Sequence, residues 1–326
     1  MDSQTKRNYI KAGKISAEVL EYGKSLIKHG NSLLETTELI EKKIFELGGK
    51  PAFPVQISCN DIAAHFCAEE EDKTVFEEQV ISLDLGVHVD GAIGDNAYTI
   101  DLSGKYNDLV KAAQKALEES LKIVNVGTEL REIGKVINDT IKSYGYTPVR
   151  NLSGHGLDLY NIHTNPTIPN IDNGDKTILK KGMAFAVEPF ATTGSGVVHE
   201  SGLATVFMLE HKKPARSPIT REILKEIETY EGLPFAKRWL TRKFGAKANF
   251  ALRELTQLGM IHQFPPLVEV NKGIVTQAEH SILIDDEGEV IVLTKMWQKS
   301  LNISIYSIII RYIQNAKNYK ETATMG

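Results

Sequence analysis

The spacing of apolar residues predicts two amphipathic helices at the start of the chain. They cover about residues 6–28 and 32–47, where apolar side chains recur with helical spacing. Ser32 is a predicted N-cap of the second helix, because Glu35 follows three positions later as in a capping box. A Gly-Gly pair that begins at Gly48 predicts the end of this helix.

Strand-like and helical segments follow in an order that predicts an α+β fold. Apolar runs bounded by turn residues predict strands, and amphipathic periodicity predicts two further helices. Residues 194–196 and 285–288 have the composition of turns. The predicted strands cover residues 53–58, 80–88, 97–102, 273–276 and 281–284, with further strand character between 183 and 209, and the predicted helices cover 106–124 and 129–144.

A charged, helical region interrupts the second half of the chain. Residues 217–258 are rich in Arg and Lys, with Pro218 near the start and Pro265 beyond the end. Because strand character resumes after this region, we interpret residues 215–272 as a small helical insertion in the α+β body. The body, with its insertion, is predicted to span residues 1–295.

The composition is that of an ordinary globular protein and excludes several classes. The chain has 326 residues, of which 42% are hydrophobic and 25% charged, which is enough for a sizeable core. A net charge of -4 offers no basic face for nucleic acid, and no apolar run is long enough to cross a bilayer. Cys59 and Cys67 make no disulfide framework, and the first residues lack the apolar core of a signal peptide. We therefore expect a cytoplasmic protein without membrane association.

Two carboxylates lie eleven residues apart on segments predicted to form neighbouring strands. Asp84 ends an apolar run, Asp95 lies in a second strand-like stretch, and Asp90-Gly91 between them is a typical hairpin turn. Such a hairpin brings the two acids side by side. Because like charges this close repel each other, the pair predicts a proton or a cation between them.

Three further residues are candidates to complete a metal site. His155 lies between two glycines, Glu188 ends a strongly apolar strand and Glu279 begins another. Taken alone, each acid is more often a strand-end cap or a salt-bridge partner than a metal ligand, and Gly-His-Gly also occurs in ordinary loops. A buried carboxylate without a partner is costly, however. Together the five residues suit two divalent cations bridged by carboxylates better than a structural zinc, and such ion pairs serve hydrolases.

In these motifs the chain resembles the type 2 methionine aminopeptidases of archaeal kind. The resemblance runs from about residue 6 to residue 295, and the helical insertion distinguishes type 2 from type 1. Its motifs are the two aspartates at this spacing, Gly154-His155, Ile162-His163, Glu188 and Glu279-His280. The resemblance implies the pseudo-symmetric pita-bread fold, in which helices flank a curved antiparallel sheet and the pocket lies between the two halves of that sheet.

The resemblance also implies a role for each of the five candidate ligands. Asp84 would bind one metal ion through both oxygens, while Asp95 and Glu279 would bridge the pair. His155 and Glu188 would complete the shell of the other ion, and Glu188 would also move the proton of the attacking water. The two divalent ions would be cobalt, manganese, iron or zinc, among which the sequence does not decide.

Outside the metal shell, the resemblance implies four residues that contact the substrate. His65 matches a histidine near the scissile amide nitrogen, and His163 matches one that donates to the substrate carbonyl and its developing oxyanion. Phe53 and Ile162 match positions that line the methionine pocket. From the residues alone, His65 is a half-buried structural histidine, and Phe53 and Ile162 are core residues. Phe264 stands where some relatives have tyrosine.

The activity implied by the resemblance is removal of the initiator methionine from nascent proteins with a small second residue, by attack of metal-activated water. The expected partners are nascent polypeptide N-termini, with the ribosome as a further candidate, and the expected state is a monomer. Two alternatives remain open. A proline-specific aminopeptidase or prolidase shares the fold, but the helical insertion and the lack of an extra N-terminal domain count against it. A non-catalytic binding relative is disfavoured because all five ligands are present.

Residues 296–326 extend beyond the end of the resemblance. They include the β-prone stretch 303–310 and none of the candidate site residues. We interpret them as a C-terminal extension of unknown role that catalysis does not require.

Overall fold

The computed structural model describes residues 1–296 of the chain. Except for its first residue, the predicted extension over 296–326 lies outside the described residues, so its role stays a prediction, as does the domain boundary at residue 295. The helices in the described part are α1 (Ser3–Leu26), α2 (Leu33–Glu46), α3 (Asn107–Ile123), α4 (Leu130–Ser143), α5 (Pro218–Glu228), α6 (Lys237–Phe244) and α7 (Lys247–Gln257). The strands are β1 (Lys50–Pro51), β2 (Gln56–Cys59), β3 (Ile62–Ala64), β4 (Val80–Val89), β5 (Ala92–Asp101), β6 (Thr147–Pro148), β7 (Ser153–Asp158), β8 (Asn161–Pro169), β9 (Ala184–Val187), β10 (Phe190–Thr192), β11 (Val198–Glu200), β12 (Val206–Leu209), β13 (Phe235–Ala236), β14 (Ile261–Phe264), β15 (Leu267–Glu269), β16 (Val275–Ile284) and β17 (Val290–Val292).

One large antiparallel sheet forms the centre of the fold. Its strands follow the order β1-β4-β5-β16-β9-β7-β8, with β2 paired to β4, and with β10 and β17 paired to β16. Helices α1 and α2 pack on the half that contains β4, and helices α3 and α4 pack on the half that contains β16 and β9. In β4, Leu83 and Leu85 are buried in the core under α1 and α2. Asp84 between them therefore faces the opposite side of the sheet.

Helix α2 begins and ends at its predicted caps, whereas α1 begins about three residues before its predicted start and the helical region predicted at 217–258 is divided into α5, α6 and α7. Ser32 accepts a hydrogen bond from the backbone N–H of Glu35 at the start of α2, and Gly48 after its end has a φ of 79°. Glu129 and Glu132 form a capping box at the start of α4. Each of these caps satisfies a backbone group that a helix end leaves without a partner.

The hairpin predicted at Asp90-Gly91 is present. Strands β4 and β5 pair along their whole length, and Asp90 and Gly91 have φ angles of 47° and 85°. Two consecutive left-handed residues are what a two-residue turn of type I′ requires. The predicted strand at 97–102 is too short, because β5 already begins at Ala92. Asp95 interrupts the apolar run without interrupting the strand, since its side chain faces the cavity described below.

Two other strand predictions need the same kind of correction. The strands predicted at 273–276 and 281–284 are one continuous strand, β16. Its central residues include Gln277 and Glu279, whose polar side chains interrupt the apolar run by which a strand is predicted. The strand predicted at 53–58 begins only at Gln56, as Pro54 lacks the N–H that a sheet ladder needs.

The helices of the predicted insertion share a small apolar core with β12. Helices α5, α6 and α7 pack together through buried residues such as Ile223, Leu240 and Leu255, and strands β13 and β14 flank β12 in a three-stranded sheet. A second small sheet has the order β11-β15-β3 and joins residues that follow the insertion's helices to the segment before His65. None of the helices described is long and apolar enough to cross a membrane.

Candidate active site

The five candidate ligands come from five strands that are neighbours in the large sheet. Asp84 lies on β4, Asp95 on β5, Glu279 on β16 and His155 on β7, while Glu188 directly follows β9. Ala97 of β5 is the register partner of both Asp84 and Glu279, and Asp95 lies two residues from it. Because opposed residues and residues two apart share one face of a sheet, these three carboxylates point to the same side.

The side chains of these strands meet closely. His155 Nε2 lies 3.7 Å from Asp95 Oδ2 and 3.7 Å from Glu188 Oε1. One ligand atom each from Asp95, His155 and Glu279 lie within 4.8 Å of one another. Carboxylate oxygens and an imidazole nitrogen at this spacing are a donor set that divalent metal ions accept.

Electrostatics shows that the carboxylates lack a positive partner. Burial raises the pKa of Asp84 to about 7. Burial and, after it, the neighbouring carboxylates raise the pKa of Asp95, Glu188 and Glu279 well above their ordinary values. The oxygens Asp84 Oδ1 and Asp95 Oδ1 are buried without a hydrogen-bond partner. Since buried acceptors are normally satisfied, these orphaned oxygens fit a site built for cations.

Three histidines of the site are held neutral. Burial is the main cause that lowers the pKa of His65 to about 4, of His155 to about 3 and of His163 to about 4. Repulsion by a neighbouring imidazolium adds to it, from His163 for His65 and His155, and from His262 for His163. The rings of His155 and His163 meet edge to face at 4.7 Å, and Phe264 contacts both His65 and His163. A neutral imidazole can bind a metal ion or donate one hydrogen bond.

A cavity of about 500 Å³ joins all the predicted site residues. The metal-ligand candidates, the two histidines predicted to contact the substrate and the two residues predicted to line the methionine pocket all face it, although they lie far apart in the sequence. Phe53 and Ile162 are buried apolar residues at its wall. The predicted residues that line the cavity are Phe53, His65, Asp84, Asp95, His155, Ile162, His163, Glu188 and Glu279.

Two glutamines that belong to the site are not among the residues predicted from the sequence. Gln277 Nε2 lies 3.3 Å from Asp84 Oδ2 and 3.2 Å from Glu188 Oε2, so one amide donates to two carboxylates. Its position two residues before Glu279, on the same face of a strand, is a signal that the sequence contains. Gln56 lines the cavity as the register partner of Asp84, and only the pairing of β2 with β4 reveals it.

Comparison with known proteins identifies a metallopeptidase family and relatives named methionine aminopeptidase. Residues 7–212 match metallopeptidase family M24. A methionine aminopeptidase of Thermococcus onnurineus is 44% identical over 283 residues, which are 86% of this chain and 96% of that protein. The family match contains four of the five candidate ligands, and the fifth, Glu279, follows the helical insertion.

Solved structures share the fold. The structure of a thermophilic Arx1 superposes with a TM-score of 0.79 at 18% identity, covering 90% of this chain and 91% of that one. A methionine aminopeptidase from Thermotoga maritima gives a TM-score of 0.66 at 22% identity, covering 90% and 98%. The predicted fold class, a pita-bread fold with a curved antiparallel sheet, is thereby confirmed.

Proposed function

This chain belongs to the methionine aminopeptidases of metallopeptidase family M24, and we propose that it removes the initiator methionine from nascent chains with a small second residue. The observation that carries the proposal is the meeting of four carboxylates, two of them fully buried, and one histidine in a single cavity whose wall is partly apolar. The carboxylate oxygens without partners support a bound cation, and the apolar part of the wall offers room for an uncharged side chain.

Two divalent ions fit the charge of the site. Four ionised carboxylates carry four negative charges, which two divalent cations neutralise and one does not. We propose that Asp84, Asp95, His155, Glu188 and Glu279 hold these ions, which would be cobalt, manganese, iron or zinc. When bound, such ions polarise the scissile carbonyl and lower the pKa of water.

The protein's own groups supply the remaining steps of the proposed mechanism. Glu188 takes the proton of the attacking water and delivers it to the departing amine. His163, neutral because of its burial, donates a hydrogen bond to the carbonyl oxygen as negative charge develops there. His65 lies near the scissile nitrogen and orients it. Phe53 and Ile162 enclose the methionine side chain and exclude water from it.

A peptide assay combined with metal analysis tests this function. We expect the purified protein to release methionine from Met-Ala-Ser, to leave an Xaa-Pro peptide intact, and to lose activity with a chelator. Asp95→Asn and Glu279→Gln should each abolish release and reduce the bound metal from two ions to one or none. Glu78→Gln, which alters an exposed acid, is the matched control and should change neither quantity.

Three outcomes would contradict the proposal. Cleavage of the Xaa-Pro peptide in place of Met-Ala-Ser would indicate a proline-specific enzyme. Two tightly bound ions without cleavage of either peptide would indicate a binding protein. A fully active Asp95→Asn variant with two metals would show that the ligands are assigned wrongly.

Partners and location are proposed on the same basis. The N-termini of nascent chains are the substrates, and cytoplasmic location, a monomeric state and contact with the ribosome stay predictions. Sedimentation of the protein with and without ribosomes would test the last two together.

A further inference from the structure

His65 adopts an unusual backbone conformation for a residue with a side chain. Its φ is 65°, in the left-handed region that glycine prefers. Strand β3 ends one residue earlier at Ala64, so His65 lies where the sheet ladder stops. A residue in this region persists only when its surroundings hold it there, and such positions cluster at functional sites.

The N–H of His65 is bound by a side chain. Gln56 Oε1 accepts a hydrogen bond from the His65 backbone nitrogen, with a distance of 2.6 Å between these atoms. Only the oxygen of the amide accepts from an N–H, which fixes the orientation of the Gln56 side chain. Gln56 is 6% exposed and is the register partner of Asp84, so it lies on the ligand face of the sheet.

The imidazole of His65 is held from a different part of the chain. Its ring meets the Phe264 ring edge to face at 5.3 Å and lies next to the backbone of Pro265. Phe264 ends β14, after the insertion's helices. The large sheet therefore holds the backbone of His65 through Gln56, while residues following the insertion's helices hold its ring.

We propose that Gln56 is a positioning residue, whose amide holds the backbone of His65 in the left-handed conformation that turns the imidazole toward the metal site. The proposal rests on the proposed function, since it assigns the orientation of a residue of that site. Without Gln56, His65 relaxes toward the extended region that L-residues prefer, and its Cα–Cβ bond then points elsewhere. Gln56 acts through His65 and does not itself contact the reacting atoms.

A double-mutant cycle measures this dependence. Gln56→Met preserves the length of the side chain but removes the acceptor. We expect it to lower kcat on Met-Ala-Ser by tenfold or more, with KM within about twofold, because a positioned histidine contributes roughly 10²–10⁴-fold. In a His65→Ala background the same change should lower kcat less than twofold. Metal content should stay at the wild-type value in all four proteins.

The matched control is another glutamine with the same local chemistry. Gln79 Oε1 also accepts from a backbone N–H, that of Glu77, but at an exposed turn. Gln79→Met should leave kcat and KM unchanged. If Gln56→Met folds poorly, Gln56→Thr replaces it, as threonine suits a strand and its hydroxyl is too short to reach His65.

A spectroscopic measurement separates the inference from the proposed function. The ring resonance of His65 in the metal-free protein is identified by its loss in His65→Ala, and it should shift in Gln56→Met but not in Gln79→Met. An equal loss of kcat in both backgrounds, or an unchanged His65 resonance, would overturn the role of Gln56. If the wild-type protein releases no methionine, the proposed function fails, and the resonance alone decides the inference about Gln56.

Discussion

At the scale of single residues, the burial of an acid indicates a ligand site only when its carboxylate lacks hydrogen-bond partners within the protein. Glu269 is fully buried, yet its carboxylate accepts hydrogen bonds from Ser195, Asn271 and Gly273, and its pKa is lowered. Asp95 is almost as buried, but one of its carboxylate oxygens has no partner and its pKa is raised. Glu269 is therefore a structural acid whose charge the fold satisfies, whereas the charge of Asp95 requires something from outside the chain.

This contrast predicts opposite effects of two conservative substitutions on the metal-free protein. Asp95→Asn removes an uncompensated charge and should raise the free energy of unfolding by about 1 kcal/mol or more, although it abolishes activity. Glu269→Gln removes a satisfied acceptor and should lower that free energy by about 1–3 kcal/mol. Urea denaturation in the presence of a chelator measures both. A metal-free Asp95→Asn protein less stable than the wild type would refute the electrostatic argument.

At the scale of elements, periodicity predicts which segments exist but not how they are ordered in the sheet. The β4–β5 hairpin follows from a local turn signal, so the placement of Asp84 and Asp95 on adjacent strands is predictable from the sequence. Glu279 reaches the site because β16 inserts between β5 and β9, a pairing between residues far apart in the chain that no local pattern encodes. The polar residues that make the site also hide its strands, since Asp95 and Gln277 break the apolar runs by which strands are recognised.

A substitution at Gly86 on β4 tests whether Phe53, which packs against this glycine, lines the proposed methionine pocket. A Cβ atom at residue 86 would lie 2.3 Å from Cε1 of Phe53, and Gly86 is the register partner of Asp95. Gly86→Ala should push the Phe53 ring aside, raise KM for Met-Ala-Ser several-fold, and cost about 1–3 kcal/mol of stability through overpacking. Adding Phe53→Leu should recover part of the stability. Unchanged KM in the folded single variant would show that Phe53 does not line the methionine pocket.

The turn of the same hairpin predicts a pH dependence of stability. His88 Nδ1 accepts a hydrogen bond from the Gly91 N–H, and burial, followed by the charge of Lys50, lowers the pKa of His88 to about 4. Because this folded value lies below the usual 6.5 of an unfolded chain, neutral His88 contributes stability above that pH, and the contribution is lost as pH falls toward 4. Between pH 6.5 and 4 the free energy of unfolding of the wild type should fall more steeply than that of His88→Gln, by up to about 1.4 kcal/mol per pH unit. Urea denaturation at several pH values measures this, and the same pH dependence of the free energy of unfolding in both proteins would contradict it.

At the scale of the whole molecule, the helical insertion is tied to the body next to the cavity. Arg238 of α6 is 1% exposed and pairs with Glu41 of α2 at 2.8 Å, while Trp239 donates to the same carboxylate. Lys237 pairs with Glu69 at 2.5 Å, four residues beyond His65. The insertion thus contacts both the first helices and the segment that carries His65. We call the pair of Arg238 with Glu41 the buried anchor, and we expect it to affect the shape of the site as well as the stability of the protein.

The buried anchor predicts a large and specific loss of stability. Arg238→Met leaves the Glu41 carboxylate buried without a cation and should lower the free energy of unfolding by about 3–5 kcal/mol. Arg242→Met is the matched control, because Arg242 pairs with Glu38 on the same helix but is 45% exposed, and it should cost at most about 1 kcal/mol. Adding Glu41→Gln to Arg238→Met should recover much of the loss, since no unpaired charge then remains buried. Equal losses in the two arginine variants, measured by urea denaturation, would mean that burial does not set the strength of this anchor.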